Sequence, residues 1–237
     1  MNFTHLHVHS HYSILDGMSK IPDLIAKCQR TGMTAMALTD HGCMYGIKEF
    51  LDTAKKINGK PKGKVKECKE AIKKAEAKIA ELPIWEATLA AGHMLMTVME
   101  DGQPVEKDIE LTAHDRKDFQ EKIADAKKAQ KELPVLLEEL PKLEAKAAAY
   151  IPFKPIVGVE AYCARRNRKL KDKDIKIING EGKSQIVDSS GWHLVLLAKN
   201  KTGYFNLCKM VSLSFIEGFY QRPRIDKELL AQYHEGV

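Results

Sequence analysis

Six side chains of this 237-residue chain combine residue type and position in a way that could hold divalent cations: His7, His9, Asp16, His41, Glu160 and His193. His7 and His9 stand two apart in an alternating segment. An extended backbone therefore projects both rings from one face, with Cβ atoms roughly 6–7 Å apart. Two imidazoles at that spacing can share a metal at a metal–nitrogen distance of about 2.0–2.1 Å. A carboxylate such as Glu160 has two oxygens and can bridge two metals about 3.5–4 Å apart, an arrangement that clamps a phosphoryl centre. Each residue also has an ordinary explanation. A single histidine on a strand is more often packed or exposed than a ligand, Asp16 suits a turn before Gly17, and Asp40 suits a helix cap. Glu160 fits the ordinary explanation least, because a carboxylate between Val159 and Ala161 is costly unless a cation pairs with it.

The elements that would position these residues follow from periodicity and punctuation. Residues 3–9 alternate with period two and predict a strand, with Leu6 and Val8 on one face and the histidines on the other. Ser19 is expected to cap a helix that runs to Arg30 and ends at Gly32. Residues 34–39 (TAMALT) read as a short apolar strand, and residues 46–57 as a second helix. Residues 64–82 are rich in Ala, Lys and Glu with apolar spacing of three and four, so they read as a solvated helix with one apolar stripe. Residues 94–99 and 105–111 flank Asp101-Gly102 and predict a hairpin. Residues 115–133 and 135–150 predict further charged helix, interrupted at Pro134 and Pro141. Residues 156–163 and 193–198 read as strands, and 202–217 and 226–233 as helices. Strands alternating with helices predict an α/β fold with parallel pairing.

Composition narrows the class. With 44% hydrophobic and 30% charged residues the chain has material for a real core. The five cysteines are odd in number and form no CxxC pair, which argues against a disulfide framework and for a reducing, cytoplasmic setting. No apolar run approaches the roughly 18–20 residues of a membrane span. The net charge is +6, and charge is nearly balanced between residues 60 and 150. The excess lies elsewhere, in part in Arg165, Arg166, Arg168, Lys169 and Lys171, a cluster that could meet nucleic-acid phosphates or form a solvated loop.

Five blocks in order resemble the PHP domain that opens bacterial DNA polymerase III alpha subunits. They are HLHVHSHYSILDG (5–17), ALTDHG (37–42), PIVGVEAY (155–162), HLVLLAKNKTGYFNLCKMVS (193–212) and EGFYQRPRIDKELL (217–230). The last block favours the polymerase over free-standing PHP phosphatases. The resemblance implies a distorted (β/α)7 barrel with a cleft for up to three divalent metals, zinc or manganese. By motif match, His7 and His9 would hold one metal, Glu160 would bridge it to a second held by His193, and Asp16 and His41 would belong to a third. The resemblance covers about residues 3–57 and 153–237, and it implies that residues 1–57 and 152–237 are the two parts of the barrel. Residues 58–151 read as an inserted helical hairpin subdomain, and the barrel is expected to be incomplete at its C-terminus, its last ligands lying beyond residue 237.

Two functions follow from this resemblance. One is a metal-dependent phosphoesterase or 3′–5′ exonuclease-like cleft within a parent protein that performs DNA-directed DNA synthesis. The other is a non-catalytic scaffold that stabilises the polymerase and docks a proofreading exonuclease subunit, other replisome proteins or DNA. No membrane partner is implied.

Overall fold

The computed structural model describes residues 3–178 and 180–237 except 101, 102 and 190, with the backbone alone at 100. It is a mixed α/β structure that divides into two compact units, one of residues 1–58 and 151–237 and one of residues 59–150.

In the first unit, helix α1 (Ile21–Arg30) carries Pro22 in its first turn, where the missing N–H is harmless. It buries Ile21, Ile25 and Cys28 along one stripe. Ser19 does not cap it: Lys20 occupies the cap without a side-chain bond. The Ser19 carbonyl accepts the His11 amide at 3.0 Å, closing the loop that precedes the helix.

Strand β1 (Ala35–Leu38) pairs in parallel with the first half of the long β4 (Lys154–Ala164), in register from Ala35↔Lys154 to Leu38↔Val157. The segment holding His5, His7 and His9 runs beside β1 as extended chain, joined by one His5↔Met36 bridge, and is not a regular strand. The reason is local. The Val8 amide donates to the Thr39 hydroxyl at 3.0 Å instead of to a backbone carbonyl, and this interrupts the ladder.

The second half of β4 pairs antiparallel with β7 (Gly191–Leu197) and in parallel with β8 (Arg224–Ile225). The all-parallel expectation therefore fails at β7. Among the described residues no α-helix crosses between β4 and β7; the connection carries a small ribbon, β5 (Lys176–Ile178) with β6 (Ser184–Ile186), and a 3-10 turn at Val187–Ser189, and the chain returns in the opposite direction. Alternate residues of β4, Val159, Ala161 and Cys163, face a core shared with α4 (Lys201–Ile216) and α5 (Lys227–Tyr233). Glu160 and Tyr162 consequently point the other way. A second core gathers Ile21, Ile25, Met36, Leu38, Phe50 and Phe153.

Helix α2 (Ile47–Ala91) does not stop near residue 57 but continues into the second unit, through Pro61 and Pro83. There it is followed by the ribbon β2 (His93–Glu100) and β3 (Gln103–Glu110), then by α3 (Ala113–Ala149). The Asp101-Gly102 turn lies outside the described residues. Within this unit the two helices are antiparallel, as the ion pairs Lys69–Glu144 and Lys127–Glu86 require. α3 is one helix, uninterrupted at Pro134 and Pro141. Each interior proline costs about 3 kcal/mol. A run of strong helix formers and the burial of Cys68, Ile72, Ala75, Ala126 and Ala129 offset that cost. Thr112 opens α3 with a reciprocal capping box to Asp115.

Candidate metal centre

The backbone brings the six candidate residues together at one place in the first unit. The β1 chain runs on through Thr39 to Asp40 and His41, where His41 bridges Glu160 in parallel: the Glu160 amide donates to the Asp40 carbonyl and the Gly42 amide to the Glu160 carbonyl. His193 of β7 stands opposite Tyr162, one pleat from Glu160 on the same face. His7 and His9 reach the same spot from the extended segment, their Nε2 atoms 3.0 Å apart.

Asp16 arrives on a loop that buried groups fix. The Asp40 carboxylate accepts the Ser10 amide at 2.7 Å and the hydroxyls of Ser10 and Ser13, and the Ser13 hydroxyl in turn accepts the His41 amide. Gly17 is needed here because a Cβ would lie 2.2 Å from the Ser10 carbonyl oxygen. Asp40 thus orders the loop and does not face the cluster.

Glu160, with a side chain only 7% exposed, is the hub. Its Oε2 lies 2.9 Å from His9 Nε2, 3.5 Å from His7 Nε2 and 3.7 Å from His41 Nε2, while its Oε1 is 3.0 Å from His193 Nδ1. Burial opposes charge on this carboxyl, but the surrounding imidazoles, His41 and His193 foremost, outweigh it and hold the group below the usual carboxylate range. Asp16 accepts from His41 Nδ1 at 2.6 Å, and that bond places its carboxyl below the ordinary value. It also fixes the ring, with Nε2 turned toward Glu160 and the cluster.

His41 Nε2 is buried without a hydrogen-bond partner. A buried polar atom without a hydrogen bond is costly. The His7–His9 pair, with its facing Nε2 atoms, and the buried Glu160 carboxylate beside it make the same demand, which a divalent cation would meet. The ligand atoms form three sets, each within 4.8 Å: His7, His9 and Glu160; His9, Asp16 and His41; and His41, Glu160 and His193. Donors of nitrogen and carboxylate oxygen suit zinc or manganese.

The basic segment is arranged differently from its sequence reading. Arg168 is buried, with its guanidinium on Asp226, Glu217 and Glu228 at 2.7–3.0 Å, so it is a structural tie and not a nucleic-acid contact. Burial works against its charge, yet the carboxylates hold the proton more tightly than usual. Arg166 is bound to Asp188, and Arg165 lies 4.7 Å over the Trp192 ring. Lys169 and Lys171 are exposed. Charge clustering in sequence gave no sign that acidic residues some 50 positions away would claim Arg168.

Two residues at the centre were missed. Tyr162 stacks on His41 at 4.4 Å and meets His193 edge-on at 5.0 Å; its position two residues after Glu160 on a strand was the available signal. Arg222 lies 4.9 Å over the Tyr162 ring, and nothing in its local sequence marks it.

Four histidines and two carboxylates gather at one edge of a mixed sheet, and the chain belongs to the PHP domain family, which matches residues 5–66 and 65–237. It is similar to the DNA polymerase III alpha subunit of Borreliella burgdorferi, 30% identical over 235 residues, covering 99% of this chain and 11% of that protein. The alpha subunit of Chlamydia pneumoniae is 30% identical over 237 residues, 100% of this chain and 11% of the relative. That of Thermus aquaticus is 26% identical over 239 residues, again 100% and 11%. The chain spans about 11% of the length of these relatives. Among the described residues, no helix is long and apolar enough to cross a membrane.

Proposed function

We propose that this chain is the PHP part of a replicative DNA polymerase alpha subunit and that its cleft binds divalent metals for phosphoester hydrolysis, in the manner of a 3′–5′ exonuclease. In this reading the mixed sheet belongs to a distorted (β/α)7 barrel, and residues 59–150 are a helical module inserted into it. The parent protein synthesises DNA in the cytoplasm, with DNA and the rest of the alpha subunit as partners. The observation that carries the reading is the buried Glu160 ringed by four imidazoles, one of which has a buried nitrogen without a hydrogen-bond partner.

His7, His9 and Glu160 would hold one cation; His193 and Glu160, with His41, a second; Asp16, His41 and His9 a third. Such cations supply Lewis acidity toward a phosphoryl oxygen and ease the deprotonation of water. The chain's own groups set the geometry. Asp16 keeps the His41 proton on Nδ1, Glu160 engages both its oxygens, and Tyr162 packs against His41 to fix the plane of that ring.

Metal content measured by plasma mass spectrometry on the purified chain tests this reading. Glu160→Gln replaces one carboxylate oxygen and removes the negative charge shared by two of the three sets, so it should lose most bound metal, and His9→Ala should do likewise. In the whole polymerase, His9→Ala should stop release of a mispaired 3′ nucleotide supported by Mn²⁺ or Zn²⁺. Metal content unchanged by both substitutions would defeat the reading.

A second reading, a brace that docks a proofreading subunit, draws on the exposed Leu95, Met96 and Met99 of the ribbon. It predicts that a whole polymerase carrying Leu95→Glu and Met99→Glu loses a co-purifying exonuclease while keeping its metal.

A further inference from the structure

The histidine–carboxylate cluster opens on one side into a cleft of about 430 Å³, which it shares through Asp16 and His41. Its walls include Tyr12, Tyr45, Tyr162, Phe215 and Arg222. The arginines near this region differ in how they are used. Arg168 and Arg166 are tied to carboxylates. Arg224, two residues from Arg222, is buried and donates to the carbonyls of Gly218, Arg168 and Leu170. Arg222 is exposed, and among the described residues no carboxylate lies within ion-pair distance of it. Its guanidinium is instead stacked 4.9 Å over Tyr162, the ring that packs on His41.

That placement is built into the backbone. Gly42 (φ +66°) follows His41, and a Cβ there would lie 3.1 Å from the Tyr162 ring and 3.2 Å from the Pro223 ring. The absence of that side chain lets Tyr162 and Pro223 close on the His41 turn, and Pro223 fixes the chain direction immediately after Arg222. A planar cation held on an aromatic face beside the histidine–carboxylate cluster, with one N–H bonded to the Tyr162 hydroxyl, presents its remaining N–H donors at the edge of the ring, a geometry that matches two oxygens of a phosphoryl group.

We propose that Arg222 is a substrate-binding residue that grips the phosphoryl group of a phosphate ester in this cleft, and that the aromatic wall formed by Tyr45 and Phe215 receives the ester's planar group. The inference rests on the phosphoesterase reading of the site and names its substrate class: a phosphate ester bearing one aromatic or heteroaromatic ring system, of which a single unpaired nucleotide is an example. A cleft of about 430 Å³ has room for one such group.

The test is binding, measured by calorimetry with inorganic phosphate and with thymidine 5′-monophosphate, on the wild-type chain and on Arg222→Gln, Arg222→Lys and Phe215→Ala. A charge-assisted contact to phosphate implies a loss of about ten- to a hundredfold for both ligands in Arg222→Gln, with partial recovery in Arg222→Lys. Phe215→Ala should weaken the nucleotide and spare inorganic phosphate. Metal content, measured on the same samples, should be unchanged, because none of these residues is a ligand. Equal affinities in wild type and Arg222→Gln, with metal fully bound, would overturn the role of Arg222 and leave the metal reading standing. Absent metal with intact, Arg222-dependent phosphate binding would overturn the metal reading alone.

Discussion

Replacing Arg168 with methionine isolates the buried ion network of the first unit. The wild-type side chain is 5% exposed and that of Asp226 2%, so the substitution leaves a buried carboxylate facing an apolar group. Breaking a buried pair in this way costs about 3–5 kcal/mol. Asp226 keeps two acceptor bonds, from the backbone amide of residue 168 at 3.0 Å and from the Leu229 amide at 3.1 Å. Glu217 and Glu228, 32% and 62% exposed, are rescued by water. The cost therefore falls at the lower end, about 3 kcal/mol. With a urea dependence of about 2 kcal/mol per molar, the unfolding midpoint should drop by about 1.5 M. Trp192 emission, in a Trp85→Phe background, reports this unit. Adding Asp226→Asn removes the stranded charge while keeping an oxygen for the Leu229 amide, and should restore at least half of the loss. A drop below about 0.5 kcal/mol, or a double variant no better than the single, would refute the reasoning that Arg168 is a structural tie.

The same network sets the response to acid. Burial would raise the Asp226 carboxyl, but the amides of Arg168 and Leu229 and the Arg168 guanidinium hold it below its ordinary value; Asp188, beside Arg166, is lowered in the same way against its burial. Depressed folded-state values mean that this stability is complete above the unfolded carboxyl value of about 3.9 and is lost as pH falls through the folded values. Urea midpoints by Trp192 emission should be flat above about pH 5 and fall steeply below about pH 4, less steeply in Arg168→Met. Gly42→Ala places a side chain at positive φ against Tyr162 and Pro223; it should cost about 1–2 kcal/mol by urea unfolding and also weaken phosphate binding by displacing Arg222.

What could be read from the chain alone was whatever short-range patterning encodes. Short apolar segments located β4 and β7, the glycine at 32 ended α1, and the order of histidine and carboxylate blocks pointed to one family; alternation at residues 3–9 predicted a strand that is only an extended segment. The helices α2 and α3 were found but cut too short. Proline is a local signal of interruption, and burial of the stripe at Cys68, Ile72 and Ala126, which keeps the helices whole, is not local.

Tertiary structure alone decided which charges are free. Arg168 and Arg222 are the same residue type in comparably basic stretches. One is drawn into the interior by carboxylates from α4, α5 and the cap of α5, while the other is left on an aromatic ring at the mouth of the cleft. It also decided the shape of the cluster, since the distance from Glu160 to each imidazole depends on three chain segments meeting through the pairing of β4 with β7 and the turn at His41. Residue type follows from sequence, but proximity between residues some 150 positions apart arises only when the sheet closes and burial makes every uncompensated charge costly.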